Sequence, residues 1–143
     1  MLPFTYREIE RAWRQNLKVS IVKTRENPHR LLLFYAVECG LKAVIMKREG
    51  LSRTDRNSNI SQLGHDINGL LEYLKVRRLR LTGGVKMKTI LTGKKHNENR
   101  PVEPKELNQM WRYGGEAEGI PSNANIENQL LNLVKWIEKE LQR

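Results

Sequence analysis

The stretch from Asn27 to Arg48 constrains the fold most, because it is apolar around most of a helical circumference. Leu32, Tyr35, Ala36, Cys39, Ala43 and Met46 fall on one stripe; Leu33, Val37, Leu41 and Val44 fall on a second beside it. Both follow the three-to-four spacing of an α-helix. A helix with so little polar girth needs neighbours on several sides and belongs at the centre of a bundle. Pro28 suits its first turn, and Gly50 suits its stop. Glu38 and Lys42, four apart, can pair along the narrow polar strip that remains.

The flanking segments supply those neighbours. From Thr5 to Lys18, the residues Tyr6, Ile9, Trp13 and Leu17 share one face, while Arg7, Arg11 and Arg14 make a basic ridge on another. Thr5 and Glu8 have capping-box spacing. Leu51–Leu63 is polar and rich in Asn and Ser, and reads as a loop carrying Arg53 and Arg56. A third helix follows, with Ile67, Leu70, Leu71 and Leu74 at core spacing. A fourth covers Pro104–Tyr113, with Leu107, Met110 and Trp111. Ser122 or Asn123 caps a last helix, Ala124–Gln142, striped with Ile126, Leu130, Leu133, Val134, Ile137 and Leu141. Trp136 lies off that stripe, free for a partner or the end of the bundle. The expected fold is all-α, an up-and-down bundle of four to five helices, with residues 1–143 as one domain.

One segment breaks the helical pattern. Across 76–91 basic and apolar residues alternate around Thr82-Gly83-Gly84: Val76, Leu79 and Leu81 precede the turn, and Val85, Met87 and Ile90 follow it. Alternation about such a turn suits a short β-hairpin with a basic face; a mobile insertion between helices is the competing reading. The stretch Gly93–Pro104 beyond it reads as a loop.

The 26 Lys and Arg against 16 Asp and Glu leave a formal charge of +10. Such an excess favours polyanions, nucleic acid first among them, with an attraction that fades in salt. A single cysteine precludes an internal disulfide and fits a reducing cytosol. The first residues lack a signal-peptide layout, and no apolar run approaches the roughly 20 residues of a membrane helix. The expected location is cytoplasmic, with no membrane partner.

Most catalytic chemistries find no foothold. The one Cys and three His are scattered without ligand spacing, so no metal is expected. Thr82-Gly83-Gly84 and Thr92-Gly93-Lys94-Lys95 complete no phosphate loop, and no cofactor is expected. Cys39 sits on an apolar stripe, where a thiol is inert packing. The remaining candidates are His65, the basic stretch, and Arg112-Tyr113. His65 is a capping or bridging residue, or a proton-exchanging one. Arg77, Arg78, Arg80, Lys86, Lys88, Lys94 and Lys95 could track a phosphate backbone or form a solvated loop. Arg112 either favours a helix C-terminus or serves a site.

Tyr35, Ala36, Glu38, Leu41, Lys42 and Ala43, followed by His65, Asp66, Ile67, Leu70 and Leu71, resemble the paired motifs of HEPN-domain proteins. Arg112-Tyr113 is similar to that family's Arg-Tyr-Pro segment, with Gly114 in place of proline. The resemblance covers Pro28–Tyr113. It implies a helical bundle, often dimeric, with roles in antiviral defence, toxin–antitoxin pairs or RNA processing. Ribonuclease members use an Arg followed, after four to six residues, by His. None of His29, His65 and His96 has an Arg at that spacing, and the last helix has no His.

Two functions are therefore expected. One is a non-catalytic HEPN-like subunit that binds an RNA or DNA backbone, a nucleotide-type ligand or a protein partner, in a defence, toxin–antitoxin or mobile-element system. The other is a divergent, metal-independent endoribonuclease toxin using His65, Arg112 and Tyr113. A helical partner of a nucleotidyltransferase, or a small subunit of an RNA-guided complex, shares the same size and charge.

Overall fold

The central stretch forms one helix, α2 (Asn27–Glu49), in the computed structural model, which describes residues 2–88, 91–92, 96–97 and 100–143. Its second apolar stripe is wholly buried, while Tyr35 and Cys39 on the first are half-buried at the edge. Before it runs α1 (Tyr6–Ser20), opened by the expected capping box, with Thr5 accepting from the Glu8 amide at 3.2 Å. After it come α3 (Ser58–Leu63), α4 (Ile67–Tyr73), α5 (Leu107–Arg112) and α6 (Asn123–Gln142). The result is an all-α bundle with a short antiparallel β insertion. Among the described residues, no helix is long and apolar enough to cross a membrane.

Three helices meet at Gly40. A Cβ there would lie 2.7 Å from Trp13 Cε3 and 2.8 Å from Ile137 Cγ2, so α1 and α6 reach α2 only because that side chain is absent. The contact completes one core, in which Trp13, Leu41, Ile45, Leu130 and Ile137 are buried together. Each such side chain contributes roughly 1.5–3 kcal/mol on leaving water. Trp136 is half-buried at the α2 end of α6, with the Arg48 guanidinium 5.6 Å above its ring.

Gly50 ends α2 in the left-handed region (φ 65°), with Leu51 N–H donating to Met46 O and Gly50 N–H to Lys47 O. This is the Schellman closure, which satisfies carbonyls the helix leaves open. The same closure ends α5 at Gly114 (φ 78°). It also ends α4, but there Lys75 takes the left-handed position (φ 61°).

The segment 51–63 departs from the expected loop. A 3₁₀ turn at Thr54–Arg56 precedes α3. The Ser- and Asn-rich sequence of α3 has little helical preference of its own. Tertiary ties hold it. The Asn57 side chain accepts from Asn59 N–H and donates to Glu49 and to the Tyr73 hydroxyl, and Ile60 is fully buried. α4 opens two residues after His65, at Ile67, capped by Asp66, whose carboxylate accepts from Gly69 N–H at 3.0 Å.

The β insertion is also paired differently from the expected hairpin. β1 (Val85–Met87) is there, but residues 76–81 are not its partner. It pairs with β4 (Arg100–Val102), inside the stretch expected as loop, with Val85 opposite Val102 and Met87 opposite Arg100. β2 (Leu91–Thr92) and β3 (His96–Asn97) pair in a second two-stranded ribbon. Ile90, Lys94 and Lys95 lie outside the described residues. The physical reason lies in Asn68: its amide accepts from Leu81 N–H and donates to Leu81 O, both at 2.8 Å. A side-chain amide thus makes the bonds that a neighbouring strand would make, and Leu81 is buried against α4. Pro101 is tolerated because a two-stranded ribbon consists of edges.

Candidate functional site

Two groups of polar residues stand out, and they differ in kind. The first is exposed. Leaving α4, the chain doubles back along that helix and is fixed by the Asn68–Leu81 clamp and by Thr82 N–H donating to Gln129. This arm carries Lys75, Arg77, Arg78 and Arg80 into solvent. Lys86 on β1 is also exposed, and Lys88 pairs with Glu116 at 3.0 Å. Arg77, Arg78, Arg80 and Lys86 have no carboxylate partner among the described residues. Several cations elsewhere are paired: Arg25 and Arg30 converge on Glu127, and Arg48 meets Glu140.

The second group is built on the polar strip of α2. Lys42 Nζ lies 2.9 Å from Glu38 Oε2, the expected pair, but Glu38 is buried and not on a solvated strip. Its other oxygen, Oε1, lies 2.6 Å from His65 Nδ1. A carboxylate only accepts, so Nδ1 carries the hydrogen and donates, leaving Nε2 as the ring's open position. His65 is therefore a bridging residue and not a cap; its side chain is half exposed. The Tyr35 ring, three residues before Glu38, stands 5.7 Å from the imidazole centroid. The Tyr35 hydroxyl accepts from Arg112 at the end of α5. That bond, followed by one with Tyr113, holds the Arg112 guanidinium above its ordinary pKa, so it stays cationic.

His65 and Arg112 thus meet around one tyrosine, although 46 residues separate them in sequence. Tyr113, the third expected member, points largely into solvent, with 79% of its surface exposed. Tyr35 and Glu38 are the members that periodicity assigns to packing and to a helix-surface pair. The available signal for a site role is their spacing of three, which sets Tyr35, at the edge of an apolar stripe, on the same side of α2 as Glu38.

The arrangement offers an imidazole oriented by a buried carboxylate, a phenol and a fixed cation. Such a set can exchange a proton and hold negative charge. Cys39 takes no part: burial first, then the Glu38 carboxylate, pushes its thiol up to about 11. Among the described residues no three His, Cys, Asp or Glu side chains gather closely enough to hold a metal ion. Comparison with protein-family models, with curated proteins and with solved structures gives no match for this chain.

Proposed function

We propose that this protein binds nucleic acid through the phosphate backbone, using the arm Lys75–Arg80 and Lys86. The observation that carries the reading is the contrast in charge pairing. Six arginines face carboxylates, while Arg77, Arg78 and Arg80 stand exposed without one among the described residues. Arg7, Arg11 and Arg56 are exposed and unpaired too, but only the arm gathers three such arginines within four residues, on a segment clamped to α4. Ordered, unpaired cations suit a ligand carrying regularly spaced negative charge, and binding releases its counterions. The resemblance to HEPN bundles, with the defence role it implies, is consistent with this, but a fold alone never fixes an activity. Labelled single- and double-stranded RNA and DNA should bind with an affinity that falls steeply as salt rises. Binding that is absent, or indifferent to salt, overturns the reading.

The Glu38–His65 pair favours a second reading on the same molecule, a divergent ribonuclease. His65 Nε2 would take the proton of a ribose 2′-hydroxyl as its oxygen attacks the adjacent phosphorus; the bond from phosphorus to the 5′-oxygen breaks, that oxygen leaves with a proton from water, a 2′,3′-cyclic phosphate remains, and Arg112 would hold the charge that develops. The same titrations, with strands recovered on a denaturing gel, separate the two. Intact RNA supports binding alone. Cleaved RNA that becomes intact with His65→Ala supports the second reading.

A further inference from the structure

Between the β1–β4 ribbon and α5 lies a cleft of about 410 Å³. That volume falls near the lower end of small-ligand sites and suits a single flat ring system. Met87 and Met110 line it with thioether surface, and Tyr113 stands at its mouth. The backbone of the tyrosine is held in place although its ring is in water. Gly114 and Gly115 close α5 behind it, Gly115 N–H donating to Met110 O at 2.7 Å. Gly115 must be glycine for the cleft to keep its shape: a Cβ would come within 2.5 Å of Met87 Sδ and 2.9 Å of the Met110 carbonyl oxygen.

The polar groups are few and specific. Arg100 lines the cleft, and its Nε is buried with no hydrogen-bond partner among the described residues, while its Nη2 donates to Lys88 O. Gln109 is exposed at the edge and offers an amide donor and acceptor. Glu106 also lines the cleft, and one of its oxygens accepts from Glu103 N–H. Arg100 and Glu106 cancel in charge, so the cleft does not select an anion and a phosphate would meet a carboxylate. Just outside, Arg112 precedes Tyr113 at the end of α5 and stays cationic.

A neutral cleft with an exposed aromatic and a donor–acceptor edge, with the Arg112 guanidinium beside it, matches a ligand that is neutral and flat at one end and anionic at the other. We infer that the cleft receives one unpaired base of a single-stranded nucleic acid, stacked on Tyr113 and hydrogen-bonded to the Gln109 amide. The inference rests on the backbone-binding reading above and adds to it a preference for single strands, because a paired base has neither face nor edge to offer. Aromatic stacking of this kind tolerates any base sequence.

Fluorescence anisotropy with a short labelled single strand, and with an abasic strand of equal length and charge, tests it. The wild-type protein should hold the base-bearing strand about tenfold more tightly. Tyr113→Ala, at an exposed position, should reduce that affinity to the abasic level and leave abasic binding unchanged, whereas Tyr113→Phe should keep the preference. Equal wild-type affinity for both strands, or a preference that survives Tyr113→Ala, overturns the cleft while leaving backbone binding intact. A parallel fall on both strands in Tyr113→Ala also overturns it. Failure of the wild-type protein to bind either strand removes both proposals.

Discussion

The polar strip of α2 and the arm beyond α4 contain the same kinds of charged residue under opposite conditions. Glu38, Lys42 and His65 are linked at 2.6–2.9 Å around a buried carboxylate. Arg77, Arg78 and Arg80 are exposed and meet no acid among the described residues. In the first region, charge holds the protein to itself. In the second, it stays unpaired among the described residues. A buried pair is costly to break because one charge is stranded, whereas a solvated cation contributes almost nothing to the folded state.

The sharpest way to break this comparison is Glu38→Ala. It strands Lys42 and should reduce stability by roughly 3–5 kcal/mol in urea unfolding. A loss below about 1 kcal/mol would mean that water already screens the pair. Next is the triple replacement of Arg77, Arg78 and Arg80 by alanine. Affinity for a labelled strand should drop at least about tenfold at low salt, with the salt slope flattened by about 0.9 for each phosphate that is no longer neutralised. Stability should move by no more than about 0.5 kcal/mol per site. Unchanged affinity would assign the arm to solvation alone.

Lys75→Gly comes third and joins the two regions. Lys75 occupies, at the end of α4, the left-handed position that Gly50 and Gly114 take in α2 and α5. Glycine there should stabilise by about 1 kcal/mol in the same assay while removing one cation from the arm. A destabilised variant would show that the lysine side chain makes up for its strained backbone. The smallest effect belongs to Arg53, whose exposed guanidinium forks onto Asp55 at 2.8 and 3.0 Å. That contact holds the Asp55 carboxyl below its ordinary range, so any stabilisation is present at neutral pH and fades as pH falls through the lowered value. Arg53→Ala should leave the urea midpoint unchanged at neutral pH. A clear shift would set a solvated pair beside Glu38–Lys42 and erase the contrast.

Helices are legible in this chain wherever burial repeats with the helical period. α1, α2 and α6 follow from their stripes and caps, because the same positions that set the spacing form the core. The rest depends on contacts distant in sequence. α3 is a helix because Asn57, Glu49, Tyr73 and Ile60 hold it, not because Ser-Asn-Ile-Ser-Gln-Leu prefers one. β1 is legible as a strand, but its partner is not, since nothing in the alternation of 76–81 reveals that Asn68 satisfies Leu81 first. The site follows the same rule. The Glu38–Lys42 pair is local and follows from helical spacing. His65 on Glu38 and Arg112 on Tyr35 join segments 27 and 77 residues apart, and only the packing of α4 and α5 on α2 brings them together.

The Asn68 clamp has a consequence for chemical ageing. Asn68 precedes Gly69, the sequence context in which an open chain most readily loses its side-chain amide through ring closure by the following nitrogen. Here that nitrogen's hydrogen is donated to Asp66, and helical geometry holds it away from the Asn68 carbonyl. Conversion of Asn68 to Asp would set a carboxylate oxygen against the Leu81 carbonyl and release the arm. The N-cap of α4 therefore also protects the amide that keeps the arginines in place, and fraying of that cap would start a slow, irreversible loss of the surface they form.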